Sequence, residues 1–277
     1  MTYRTVMVNL VVDQPNERCI AVASDLAERF EARIIGIAAA DFSPPLYFTT
    51  GAQAERLLEE SHNAIKTSLG KLEAEFFKLV GQGAKSVEWR SSVELPTRYL
   101  ARQARAADFI VMAQPVGNAL IDPFERVNPN DLVMQAGRPL LLVPEGVSWL
   151  GLRSVLVAWK DSPESRRAIA AALPLLCAAE RVTVAGILEE SDDYSASLAG
   201  VKDVVNWLSC HDVAATEVVA NERVKDVPGA LEKVASNVGA SIIVAGAYGH
   251  SRLREWVMGG VTRHLITSST RCAFLCR

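Results

Sequence analysis

The chain has 277 residues, 49% hydrophobic and 22% charged, with a formal net charge of −3. This length fits two globular domains of roughly 140 residues, and the charge supplies no basic field for nucleic acid. No apolar run approaches the roughly 20 residues of a membrane span, no signal-peptide core precedes the first strand, and five cysteines suit a reducing compartment, so a cytoplasmic protein is expected.

The first strand is predicted near 4–10, over Arg4-Thr5-Val6-Met7-Val8-Asn9-Leu10, followed by Asp13-Gln14-Pro15 and a helix led by that proline. Cys19 falls on the apolar face of this helix, and a second strand is predicted near 33–38. The segment from Asp41 to Gly51, rich in aromatics and proline, could form a lid or present a surface to a protein partner. A long helix follows over about 54–80, with Leu57, Leu58, Ile65, Leu69, Leu72 and Phe76 expected in the core. Strands near 85–90, 108–113 and 139–143 complete this half, and Glu145 to Gly151 reads as a linker.

The second half runs through strands near 153–159, 181–187, 214–220, 240–246 and 272–276. Ser162 is a natural N-cap with Pro163 at the first helical position. Ala168, Ala171, Ala172, Leu175 and Leu176 then define one buried helix face, and Cys177 is expected to lie with it. Cys272 and Cys276 share a strand face but sit about 13 Å apart at strand rise, too far to share a metal. Cys210-His211 could be half a metal site but lacks a partner pair at ligand spacing.

The halves are copies. Arg4-Thr5-Val6-Met7-Val8 reads like Arg153-Ser154-Val155-Leu156-Val157. Ala107 to Met112 matches Ala240 to Ala245, and Arg138 to Val143 matches Arg271 to Cys276, both at an offset of 133. Apolar strands alternating with helical patterns indicate an α/β fold: two tandem five-stranded parallel-sheet domains, 1–146 and 152–277, with helices on both faces. Ligands in such sheets sit at the carboxyl ends of the strands.

At that edge of the second copy stand Gly246 and Gly249, just after a buried strand, and Gly259 and Gly260, just before an apolar helix. Glycines let the backbone approach a ligand closely, and a helix start offers unsatisfied N–H groups and a favourable dipole, which together make an anion cradle. Plain turn and hinge glycines would give the same residues.

Gly246, Gly249 and Gly259 match the spacing Gly-two-Gly-nine-Gly of the universal stress protein nucleotide signature, and Val155 to Ser162 resembles that family's first strand and helix start. From Arg153 to Arg277 the chain resembles one universal stress protein domain, and as a whole it resembles a tandem member of the family. The resemblance implies a five-stranded α/β unit that binds ATP or another adenine nucleotide, with or without magnesium, and pairing of units through their last strands, so that a homodimer through terminal strands is one outcome. It places Ala158, Trp159, Lys160 and Ser162 in the nucleotide site, with Gly246 and Gly249 on ribose and phosphate, and Gly259, Gly260, Val261 and Thr262 around the phosphates. His250 and Arg252 are counted with this set. Arg252, Arg254 and Arg263 fit an ordinary solvated helix surface as well, and neither His250 nor His264 has an acidic or cysteine partner in sequence reach.

Two residues depart from the family pattern. Lys160 stands where an acidic or small polar residue is usual, and could serve as a cation for the phosphates or fill the adenine pocket with its stem. Gly260 replaces a Ser or Thr, removing a contact worth roughly 1 kcal/mol. The acidic run Glu189-Glu190-Ser191-Asp192-Asp193 would weaken phosphate binding unless a cation intervenes.

In the first copy the matching positions are Ala113, Val116, Arg126 and Val127, with Pro115, Pro123 and Pro129 nearby, so it should not bind a nucleotide in the same way. The function expected is a stress-response protein acting by nucleotide-dependent interaction rather than catalysis. The alternatives are an interaction protein with a decayed site, and an adenylating enzyme of related fold. Lys160-Asp161-Ser162-Pro163 is not the Ser-Gly-Gly loop of such enzymes, and no nucleophile elbow is present.

Overall fold

The computed structural model describes residues 2–42, 51–115, 121–220, 222–248 and 260–277, with the backbone alone at 52–54. Contacts divide the chain into two units, one built chiefly from Tyr3–Ala113 and the other chiefly from Arg138–Arg277.

The first unit contains β1 (Thr5–Asn9), α1 (Glu17–Arg29), β2 (Arg33–Ala40), α2 (Gly51–Leu79), β3 (Val87–Val93), α3 (Pro96–Gln103), β4 (Phe109–Ala113) and α4 (Pro129–Gln135). Its strands are parallel in the order β3-β2-β1-β4, with Val6 opposite both Ile34 and Phe109. β1 is buried along its whole length and β2 along nearly all of it, as expected of strands covered on both faces. Gly36 makes room in β2, where a Cβ would lie 2.8 Å from the Phe76 and Trp89 rings.

Two expectations are corrected here. α1 is not led by Pro15: the Asn16 side chain accepts from Val11 N at 2.9 Å and donates to the Val11 and Gln14 carbonyls, so the loop closes on Asn16 and the helix starts at Glu17. The core stripe of α2 is also shorter than predicted. Leu69, Leu72 and Phe76 are buried, Leu58 and Ile65 are half-buried, and Leu57 is 52% exposed. The reason is length: the 29 residues of α2 span about 43 Å, against roughly 23 Å for a seven-residue strand.

The second unit contains β5 (Leu140–Val143), β6 (Val155–Trp159), α5 (Pro163–Cys177), β7 (Val182–Gly186), α6 (Tyr194–Ser209), β8 (Ala215–Val219), α7 (Val227–Asn237), β9 (Ile242–Gly246), α8 (Gly260–Thr267) and β10 (Cys272–Cys276). The strand order is β5-β10-β9-β6-β7-β8, parallel except for β5, which runs antiparallel to β10 with Phe274 opposite Leu141. β10 therefore has both edges occupied, by β9 and by β5. The predicted offset holds end for end between Phe109–Ala113 and Ile242–Gly246.

Cys19, Cys272 and Cys276 are buried, but Cys177 is exposed, against expectation. It sits about 100° round the helix from Leu176 and so falls off the buried face. No helix among the described residues is long and apolar enough to cross a membrane.

Candidate functional site

The carboxyl edge of β7, β6 and β9 is lined by small residues held in register. Ala158 lies opposite Ala185 on one side and Ala245 on the other, and Trp159 lies opposite Gly186. Ala158 and Trp159 are half-buried. The Trp159 indole turns toward α6, where a Cβ on Gly200 would stand 3.3 Å from its Nε1.

Beyond Trp159 the chain turns into α5. The Ser162 hydroxyl accepts from Ser165 N at 3.2 Å, and Pro163 occupies the first turn, as the sequence predicts. This first turn is pressed against the end of β9: Glu164 and Ser165 are buried, and a Cβ on Gly246 would fall 2.6 Å from Ser165 N and 2.7 Å from the Glu164 carbonyl carbon. Helix packing therefore accounts for the glycine at 246 without a ligand. Two residues on, Tyr248 holds a φ of +57°, a left-handed conformation uncommon for a non-glycine side chain.

Gly249, His250, Arg252 and Gly259 lie outside the described residues. Gly260, Val261 and Thr262 form the first turn of α8, where Gly260 is exposed, Val261 half-buried and Thr262 buried. A Cβ on Gly260 would meet only Pro228 Cγ, at 3.6 Å. Since Pro228 lies in the first turn of α7, which follows β8, α8 also begins at the carboxyl edge. Ala158, Trp159, Lys160, Ser162, Gly246 and Gly260–Thr262 thus all stand at one end of one sheet.

Charge at this edge is paired. Lys160 Nζ lies 2.6 Å from Glu189 Oε1, with the Lys160 side chain 65% exposed. The Glu189 amide donates to Asp192 Oδ2 at 2.9 Å, and Arg223 donates to the Asp192 carbonyl at 3.1 Å. Lys225 pairs with Glu190 at 3.5 Å. The cations beside the acidic run are therefore Lys160 and Lys225. On α5, Arg167 reaches Glu164 at 3.0 Å and Arg166 pairs with Asp161.

A second polar cluster escaped the sequence reading. Glu232 of α7 accepts from Ser269 Oγ at 2.9 Å and meets His264 Nε2 of α8 at 3.0 Å, while its other oxygen pairs with Arg271 at the start of β10. Arg271 also donates to the Ala240 carbonyl at 3.0 Å and to Ser236 Oγ at 2.9 Å. His264 thus has an acidic partner, one 32 residues away in sequence. This cluster ties α8 to α7 and β10, fixing the helix that starts at Gly260.

A cavity of about 280 Å³ opens at the other end of the strands, lined by Ser154, Glu180, Arg181, Thr183, Thr216 and Val238 among others. Its hydroxyls bond inward, Thr183 with Thr216 at 3.2 Å and Ser154 to the Val238 carbonyl at 2.9 Å. It contains none of the predicted site residues. Among the described residues, no three histidine, cysteine or carboxylate side chains are grouped to hold a metal ion, and Cys210-His211 gains no such set.

In the first unit the matching helix start is capped. Val127 is buried, and α4 begins with Pro129, which has no N–H, behind an N-cap Asn128 whose side chain accepts from Asn130 N at 3.0 Å. Of the residues opposite the four glycines, Val116 lies outside the described residues.

Residues 151–272 match the model of the universal stress protein family. No curated protein matches the sequence. Among solved structures, the chain is similar to a universal stress protein from Archaeoglobus fulgidus DSM 4304, with a TM-score of 0.67 at 14% identity over 99% of this chain and 96% of that one. It is also similar to a functionally unknown protein from Pseudomonas aeruginosa PAO1, with a TM-score of 0.58 at 14% identity over 99% and 92%. A universal stress protein solved in complex with cAMP matches 52% of this chain and 98% of its own at 22% identity, with a TM-score of 0.31.

Proposed function

We propose, for a chain whose residues 151–272 match the model of the universal stress protein family and whose halves repeat one fold, that the second unit binds an adenine nucleotide and that the protein acts through nucleotide-dependent interaction rather than catalysis. The observation that carries this reading is the convergence at one sheet edge of the in-register small residues Ala158, Ala245 and Gly186 with the α8 start at Gly260. Ligands of open α/β sheets sit at the carboxyl ends of the strands, and the helix start offers N–H groups to a phosphate.

In this reading Ala158, Trp159 and Gly246 border the nucleoside, while Gly260, Val261 and Thr262, with Gly249 and Gly259, take the phosphates. Lys160 and Ser162 lie on the opposite rim. His250 and Arg252 belong to the same proposed set. Occupancy would change the surface shown to a protein partner. A magnesium ion would enter with the ligand, held chiefly by phosphate oxygens and water. A cytoplasmic setting fits five cysteines of which none is in a disulfide. Pairing of two copies through β10 does not form part of the reading, because both edges of that strand are already taken.

The rival reading, a nucleotide-free interaction protein, draws on the Lys160–Glu189 pair and on Gly260 in place of a hydroxyl residue. Mass spectrometry of the gently purified protein, followed by calorimetry with adenine nucleotides, separates the two. A copurified or titratable nucleotide supports binding, whereas no heat at millimolar nucleotide with folded protein leaves the rival. Gly249→Val should abolish binding while leaving the fold intact.

A further inference from the structure

The cavity at the amino ends of the second unit's strands lies where the first unit holds an arginine network. Val6, opposite Ile34 and Phe109, corresponds to Val155, opposite Val182 and Ile242, so Arg33 corresponds to Arg181. Arg33 is engaged at all three nitrogens: it donates to Thr5 Oγ1 at 3.0 Å and to the Ala106 carbonyl at 3.3 Å, and it pairs with Glu88 at 3.3 Å. Glu88 lies opposite Ile35 in the ladder, and the matching pair in the second unit is Thr216 opposite Thr183. A threonine therefore stands where the arginine's carboxylate partner stood. Arg181 reaches the same place as its counterpart. Its Nη2 stands 4.0 Å from where a Gly239 Cβ would lie, and Gly239 matches Ala106 at the offset of 133. Yet among the described residues the Arg181 side chain makes no hydrogen bond or ion pair. In place of the carboxylate is the cavity of about 280 Å³ that Arg181 lines with Thr183 and Thr216.

We infer that this cavity is a second ligand site, independent of the nucleotide reading, and that it takes a small carboxylate carrying a hydroxyl or ammonium group beside its carboxyl carbon. The Arg181 guanidinium receives the ligand's carboxylate where the first unit offers Glu88, a fork-to-fork match that a guanidinium makes well. The floor calls for the second group. Thr216 Oγ1 donates to the Val182 carbonyl at 3.4 Å, which leaves Thr183 to donate to Thr216 at 3.2 Å, and Ser154 Oγ donates to the Val238 carbonyl at 2.9 Å. A hydroxyl has a single proton to give, so all three are spent and the floor offers lone pairs only. A bare carboxylate would face those lone pairs, whereas one with a donor of its own answers them. Glu180, the other charged residue of the lining, lies 3.9 Å from Arg153 with both side chains largely exposed, and adds a further acceptor at the mouth.

The test is ligand-observed NMR titration of the full-length protein with alanine, lactate, propionate and ethylamine, for the native protein, Arg181→Gln and Thr216→Glu. Alanine or lactate should bind at least about fivefold more tightly than propionate, which lacks the donor, and ethylamine, which lacks the carboxylate, should not bind. Whichever of alanine and lactate binds more tightly names the donor as ammonium or hydroxyl. Arg181→Gln should weaken binding by about tenfold or more, the loss of a charge-assisted hydrogen bond. Thr216→Glu recreates the Arg33–Glu88 pair within the second unit, so it should abolish binding at an unchanged or higher melting temperature. The inference is overturned if neither alanine nor lactate binds folded native protein at tens of millimolar, if propionate binds as tightly as they do, or if Thr216→Glu keeps full affinity. Adenine nucleotide affinity, proposed for the opposite ends of these strands, should be the same in both variants as in the native protein, so failure here leaves the nucleotide reading standing.

Discussion

Gly246→Ala separates two reasons for a glycine at the end of β9. The added Cβ would lie 2.6 Å from Ser165 N, 2.7 Å from the Glu164 carbonyl carbon and 2.9 Å from Glu164 Cβ. Real Cβ atoms do not approach backbone so closely, so the first turn of α5 must move off the strand end. That turn is fixed by the Ser162 cap and by Pro163, and its Glu164 and Ser165 are buried, so it cannot yield freely. Overpacking of this kind costs about 1–3 kcal/mol, which lowers the melting temperature by roughly 3–10 °C for a chain of this size. Gly260→Ala is the control. Its Cβ meets only Pro228 at 3.6 Å, and alanine in a helix is favoured over glycine by up to about 1 kcal/mol, so stability should hold or rise. Thermal unfolding by circular dichroism reads both. If Gly246→Ala melts with the native protein while losing nucleotide affinity, the glycine serves the ligand and the packing argument is wrong.

Ser162→Ala removes the α5 cap and should cost about 1 kcal/mol, seen as a lower denaturant midpoint at an unchanged slope. Glu232→Ala leaves His264, Ser269 and Arg271 without a shared acceptor in a cluster about one-fifth exposed, and should destabilise by about 2 kcal/mol; Glu232→Gln, which keeps an acceptor oxygen, should cost less. Alkylation at pH 8 followed by mass spectrometry should label Cys177 and Cys210 quickly, and Cys19, Cys272 and Cys276 only after unfolding. Burial pushes the Cys19 thiol up to about 11, against the opposing influence of Arg18. A raised thiol favours the folded state fully below the unfolded value near 8.5, and this contribution is lost as pH climbs toward 11. Stability measured from pH 8 to 11 should therefore fall, and less steeply in Cys19→Ala.

The strands were legible because each is a short apolar run between breakers, and because the offset of 133 lets each half check the other. The Ser162 cap was legible for the same local reason. What the sequence concealed depends on distance. Glu232 meets partners 32, 37 and 39 residues away, and no periodicity announces such a cluster. Leu57 was misplaced for another reason: the apolar pattern of a helix continues wherever the helix does, but burial ends where the sheet beneath it ends. Lys160 was visible as a departure from the family pattern, yet only the fold brings it to Glu189, across the gap between β6 and β7.

That pairing bears on how two copies of one unit come to differ. In the first, the start of α4 is self-sufficient: Asn128 satisfies an amide, Pro129 removes another, and Val127 is buried. An anion gains little where the helix has already answered its own unsatisfied donors. In the second, α8 opens with the exposed Gly260, and the Glu232 cluster holds its far turns in place. A helix anchored by its carboxyl half suits a ligand that comes and goes, because binding need not also pay to position the helix. The two helix starts differ in how they are capped, and Asn128→Ala with Pro129→Ala in the first unit should lower its stability without creating a nucleotide site, since the bulk of Val127 would still stand at the position that matches Gly260.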